Sequence, residues 1–152
     1  LERIRTLNAL AENFQLDLFT RSDTSPLKKV HCHGGVSTHT QMPEIFYRSK
    51  INLNITIRSI QTGIPQRIWD VLGCQGFLLS NYQAEIPEHL EIGSDLDCYE
   101  NLAELKEKAA FYLKHEDIRL AIAEHGYTSV KEKHTCLHRV ISMLNTIYPN
   151  NK

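Results

Sequence analysis

Between Asn52 and Gly76 the chain reads NLNITIRSIQTGIPQRIWDVLGCQG. An alternating strand leads into a loop with Arg58, and Gly63-Ile64-Pro65 then opens a helix bearing Arg67 and Asp70. The first-turn N–H groups of a helix lack intrahelical acceptors, and the helix dipole is positive there. A glycine beside them lets a ligand approach the backbone closely. Arg58 and Arg67 can add charge-assisted hydrogen bonds to phosphate, so the segment reads as a diphosphate site. Asp70, three residues after Arg67, shares its helix face and can accept two ribose hydroxyls. A surface helix with an ordinary Arg67–Asp70 ion pair is an equally good reading of these residues alone.

The histidines invite a metal reading. His31-Cys32-His33 alternates on a strand, so the two histidines share a face and Cys32 points away. His134 and His138 sit at i, i+4 on one helix face, a zinc-ligand spacing, but no HExxH carboxylate accompanies them. Ordinary polar or half-buried histidines, and a buried Cys74, are preferred, and no metal is expected. His33 ends a strand just before Gly34 and is the one to watch. Asn52 and Asn54 are polar in a strand that should be buried on both faces, and a structural hydrogen bond is the favoured role. Asn81 and Tyr82 follow another strand into the same region, with ligand contact and a plain turn role equally open. Trp69 reads as core, and Glu88 as a carboxylate at a helix start.

These residues need elements to hold them. Residues 1–14 carry Leu1, Ile4, Leu7, Leu10 and Phe14 at helical spacing, and Phe14 to Phe19 alternates as a strand. A loop over 21–29 leads to a short strand, Val30 to His33. A helix with Pro43 near its start runs to Arg48. Strands follow at Ile51–Ile57, Phe77–Ser80 and Leu96–Tyr99, with helices at Gly63–Gly73 and Pro87–Leu90. The remainder is helical in three stripes: Leu102 to Leu113, Ile118 to a stop at Gly126, and Leu137 to Tyr148. Alternating strands and helices imply a Rossmann-like α/β fold, an open parallel sheet with helices on both faces. Ligands of such sheets bind beyond the strands' carboxyl ends. That singles out Thr20-Arg21-Ser22, His33–Thr38 and Ile57–Pro65.

Length and composition bound the function. The 152 residues make one domain, which buries roughly 70% of its unfolded surface. With 17 Lys and Arg against 18 Asp and Glu, no basic field exists for bulk nucleic-acid binding. No apolar run reaches the roughly 18 residues of a membrane span. Cys32, Cys74, Cys98 and Cys136 are too scattered for a disulfide framework and read as free thiols in a reducing cytoplasm. The chain starts without Met or signal peptide, as a piece of a longer one would.

The segment GIPQRIWDVLGCQGFLLS, Gly63 to Ser80, combines a glycine–proline turn, an acidic helix residue, a small-Cys-Gly ending and an apolar strand. With Ala84-Glu85-Ile86-Pro87-Glu88, Tyr99 to Leu105, Tyr112-Leu113, Arg119-x-x-Ile122-Ala123-x-x-Gly126 and His134-Thr135 with Arg139, it resembles the C-terminal half of group 1 glycosyltransferases of GT-B architecture. The spore-maturation CgeB-like branch looks closest, and the likeness covers about four-fifths of the chain. The resemblance implies one lobe, residues 1–152, of a metal-independent, hexosyltransferase-type enzyme with no permanently bound cofactor. Its donor is a nucleotide-diphosphate sugar and its acceptor a glycan or glycoconjugate, for example in cell-surface polysaccharide. Thr62, Gly63, Ile64 and Pro65 stand where the family's backbone meets the donor, Asp70 where it binds ribose, and Gly34, Gly35 and Val36 beside the base. Acceptor and base would come from an N-terminal domain absent from this fragment, which alone would be inactive. The expected setting is the cytoplasm, with the inner membrane face as a peripheral site. Many members carry two acids seven residues apart, and Thr62 replaces the first. A degenerate nucleotide-binding or interaction module without catalysis is the alternative that substitution supports. A signalling receiver is set aside, since the middle strand ends Asn54-Ile55-Thr56 without a phosphoacceptor Asp.

Overall fold

The computed structural model describes residues 2–57 and 63–148, so Arg58 and Thr62 lie outside the described residues. The elements run α1 (Glu2–Ala11), β1 (Asp17–Phe19), β2 (His31–His33), α2 (Gln41–Arg48), β3 (Asn52–Asn54) and α3 (Gln66–Gly73). Then come β4 (Leu78–Asn81), α4 (Ile86–His89), β5 (Asp97–Tyr99), α5 (Leu102–Lys114), α6 (Glu116–Lys133) and α7 (Cys136–Ile147).

Every strand pairing is parallel, as the alternation implied, but the ladders form two groups. β1 pairs with β2, Phe19 opposite His33. β3, β4 and β5 pair in that order, Asn54 opposite Ser80 and Asn81 opposite Tyr99. Adjacent strand residues point to opposite faces. Accordingly Leu78 enters a cluster with Phe46, Ile68, Leu72 and Val130, while Leu79 enters another with Leu10, Tyr99, Leu105 and Ile122. Helices thus cover both faces of β4. Leu78 and Leu79 are fully buried, and such burial contributes roughly 1.5–3 kcal/mol for each side chain.

Several boundaries differ from the periodicity, among them the start of β1, at Asp17 rather than Phe14, and the end of β3, at Asn54 rather than Ile57. The helix expected from Gly63 begins at Gln66, because Pro65 is still extended at φ −58, ψ 138. The helix expected to stop at Gly126 runs through it to Lys133. Gly126 serves close packing, since a Cβ there would overlap the Asp95 carbonyl oxygen and stand 2.9 Å from Leu72 Cδ2. Among the described residues no helix is long and apolar enough to cross a membrane.

Candidate functional site

The carboxyl ends of β3, β4 and β5 are tied by side chains. Asn54 donates its amide to Ser80 Oγ and Thr56 Oγ1, both at 3.0 Å. The Asn81 side-chain carbonyl accepts the Thr56 backbone N–H at 2.7 Å. Tyr99 donates its hydroxyl to the Asn54 carbonyl at 3.1 Å, and burial pushes that phenol well above its ordinary range. Asn52 donates to the Phe46 and Phe77 carbonyls. Both strand asparagines therefore have the structural role expected of them, and Asn81 resolves to a latch. Tyr82 alone of this set leaves its side chain in solvent, 46% exposed.

Beyond this edge α3 begins. Gly63 has φ +94, a conformation that side chains rarely adopt, and Ile64 and Pro65 are half-buried behind it. Pro65 has no side-chain acceptor with which to cap the helix. Arg67 and Asp70 are both exposed. The ordinary Arg67–Asp70 ion pair does not form. Gln66 Nε2 donates to Asp70 Oδ1 at 3.2 Å instead, and Arg67 has no partner among the described residues.

The second edge belongs to β1 and β2. His33 Nε2 lies 2.7 Å from Asp17 Oδ1, and its ring stacks on Phe19 with centroids 4.5 Å apart. Asp17, Phe19, His31 and His33 share one exposed face. The Arg21 side chain lies over Gly35, where a Cβ would overlap it. Gly34 and Gly35 are exposed and Val36 is half-buried. The Asp17–His33 pair escaped the sequence, because only strand register reveals it.

Other expectations separate here. His134 and His138 do not share a helix face: α6 ends at His134 and Thr135 caps α7. His138 and Thr135 bond reciprocally as a capping box through the His138 Nδ1 atom. Cys74 is half-buried rather than buried, and Cys98 is the buried thiol, pushed up to about 12 chiefly by burial. Among the described residues no three His, Cys, Asp or Glu groups converge on a metal site. Trp69 packs partly against the core and also meets His134 and Arg139. A concavity of about 620 Å³ lies elsewhere, between the segment from Pro87 to Ile92 and α6. There His125 Nδ1 faces both Asp95 Oδ1 and Ser94 Oγ. One nitrogen cannot relay a proton between them, so these groups are a structural tie.

Parallel strands flanked by helices, with polar residues at the strands' carboxyl ends, define a Rossmann-like α/β domain. The glycosyl transferase-like family matches residues 3–145, and the chain belongs to that family. No curated protein matches the chain.

Proposed function

We propose that the chain is the donor-binding lobe of a glycosyltransferase that takes a nucleoside-diphosphate sugar. The observation carrying this reading is the start of α3: an uncapped helix end behind a positive-φ glycine, with Arg67 unpaired among the described residues and Asp70 exposed, in a chain of this family. In this reading the N–H groups of α3 and the guanidiniums of Arg58 and Arg67 hold the diphosphate and stabilise negative charge on the leaving phosphate. Together they can balance that charge, so the reading requires no divalent cation. Asp70 accepts from the ribose hydroxyls, the turn from Thr62 to Pro65 meets the sugar and phosphates, and the loop from Gly34 to Val36 flanks the base. A second lobe supplies the acceptor, a glycan or glycoconjugate, and the base that activates it. The CgeB-like branch is the proposed subgroup, and the exposed thiols Cys32 and Cys136 fit a reducing cytoplasm.

Calorimetric titration with UDP, GDP, ADP and CDP tests the reading. One of them should bind, and Asp70→Ala should weaken it roughly tenfold, the scale of one or two lost charge-assisted hydrogen bonds. No binding by any nucleotide at millimolar concentration overturns the reading. Thr62, where many members carry an acid, favours a second reading, a binding module without catalysis. Tight nucleotide binding without sugar transfer by the complete enzyme would establish that reading instead.

A further inference from the structure

The exposed face of β1 and β2 can be placed relative to α3. Leu16, just before β1, packs against the same core cluster as Leu53 of β3, the one that holds Leu10, Leu79 and Leu105. Strand residues alternate, so Asp17 and Phe19 point to the opposite face, as do His31 and His33 by register. On that opposite face Leu78 of β4 meets Ile68 and Leu72 of α3. The end of the sheet is shared as well. Arg3 of α1 donates to the Ile55 carbonyl at 2.7 Å, just past β3, so α1 starts at that strand's carboxyl end. Its 10 residues make about 15 Å of helix, after which β1 runs back. The carboxyl ends of β1 and β2 therefore lie at the sheet end, and on the face, where α3 begins.

A preassembled stack stands there. The Asp17 carboxylate can only accept, so His33 Nε2 carries the proton it donates across 2.7 Å, and this bond fixes the imidazole. The Phe19 and His33 rings lie 14° from parallel with centroids 4.5 Å apart. Phe19 nevertheless stays 37% exposed and the His33 side chain 45%. Beside His33 there is room, since a Cβ on Gly34 would meet nothing within 4 Å. Among the described residues β2 pairs only with β1, so no strand covers its outer side.

We propose that the Phe19–His33 stack is the platform on which the base of the donor nucleotide lies. The inference rests on the donor-binding reading and adds to it the side chains that meet the base. Rings already held in place lose little freedom on binding, and every base offers a π-face to stack on. The other role for the pair is a tie between β1 and β2 with no ligand, and titration separates the two.

Calorimetry of the 152-residue chain with UDP, GDP, ADP, CDP and inorganic pyrophosphate is the test. The nucleotide that binds should do so at least tenfold more tightly than pyrophosphate, which has no base. His33→Ala should weaken that nucleotide about tenfold, the scale of one base–aromatic stack, and leave pyrophosphate unchanged. His33→Phe, which restores a ring without the Asp17 bond, should recover most of the loss. In NMR spectra of the parent chain the Phe19 and His33 ring protons should move upfield as nucleotide is added, a readout that needs no variant to fold. Failure of every nucleotide to bind overturns the donor reading and the platform together. Nucleotide binding that His33→Ala leaves intact, or that moves neither ring's protons, overturns the platform alone.

Discussion

Asn81 accepts the Thr56 backbone N–H at 2.7 Å, so the end of β4 holds the backbone that leaves β3. A latch of this kind needs an acceptor, not an amide. Asn81→Ala should cost about 1 kcal/mol, read as a lower urea midpoint at unchanged slope. Asn81→Asp retains an acceptor oxygen and should recover most of that loss. If the edge binds nucleotide, Ala should weaken binding and Asp should not. Equal stability of the two variants would show that the bond carries no weight.

Asp97, 6% exposed at the start of β5, is held from α5. Tyr112 donates to Oδ2 at 2.8 Å and Lys108 to Oδ1 at 3.0 Å. Removing the cation should cost more than removing the hydroxyl. Tyr112→Phe should cost about 1.5–3 kcal/mol, the worth of one hydrogen bond to a charged group. Lys108→Met leaves a buried carboxylate without its cation and should cost about 3–5 kcal/mol. Chemical denaturation orders them, and the reverse order would refute the ion pair's leading part.

Gly126 distinguishes a helix stop from a packing glycine. At an exposed helical position Gly→Ala stabilises by roughly 1 kcal/mol. Here the new methyl would overlap the Asp95 carbonyl, so Gly126→Ala should destabilise by about 1–3 kcal/mol, the usual cost of overpacking. A raised thermal midpoint would contradict the close approach of α6 to the Asp95 backbone.

The same residue shows what sequence can carry. Periodicity located the strands and helices to within a few residues, the end of α6 excepted, because one-sided burial writes itself into spacing. It misread Gly126, since a glycine inside a helix looks like a terminus until the neighbouring backbone is in view. It placed His134 and His138 on one helix because nothing local announces that Thr135 starts a new one. At the candidate site, the Gly63 turn and the exposed Arg67 and Asp70 were legible as a local strand–turn–helix segment. The Asp17–His33 pair and the Asn81 latch join residues 16 and 25 positions apart, so they required the sheet register. The solvent-facing stripe of α7 was visible as a stripe, but its direction was not.

His134 gives the fold a pH dependence that one fluorophore can follow. Its ring lies 4.8 Å from that of Trp69, the chain's single tryptophan, with Arg139 over the same indole. Burial, then the nearby Arg139 charge, holds His134 below the usual histidine range; the adjacent His89 and Lys133 charges push the same way, while a hydrogen bond that His134 donates to the His89 backbone opposes them. The unfolded chain therefore takes up this proton first as pH falls through about 6.5. Stability from the neutral ring is full above that pH and declines below it, until the folded state also protonates. The thermal midpoint should thus fall more between about pH 7.5 and 5.5 for the parent than for His134→Gln. Trp69 emission should change over the same interval as the α6–α7 junction loosens. Parallel pH profiles for the two chains would remove His134 from the account, and a parent midpoint rising toward acid relative to the variant would reverse its sign.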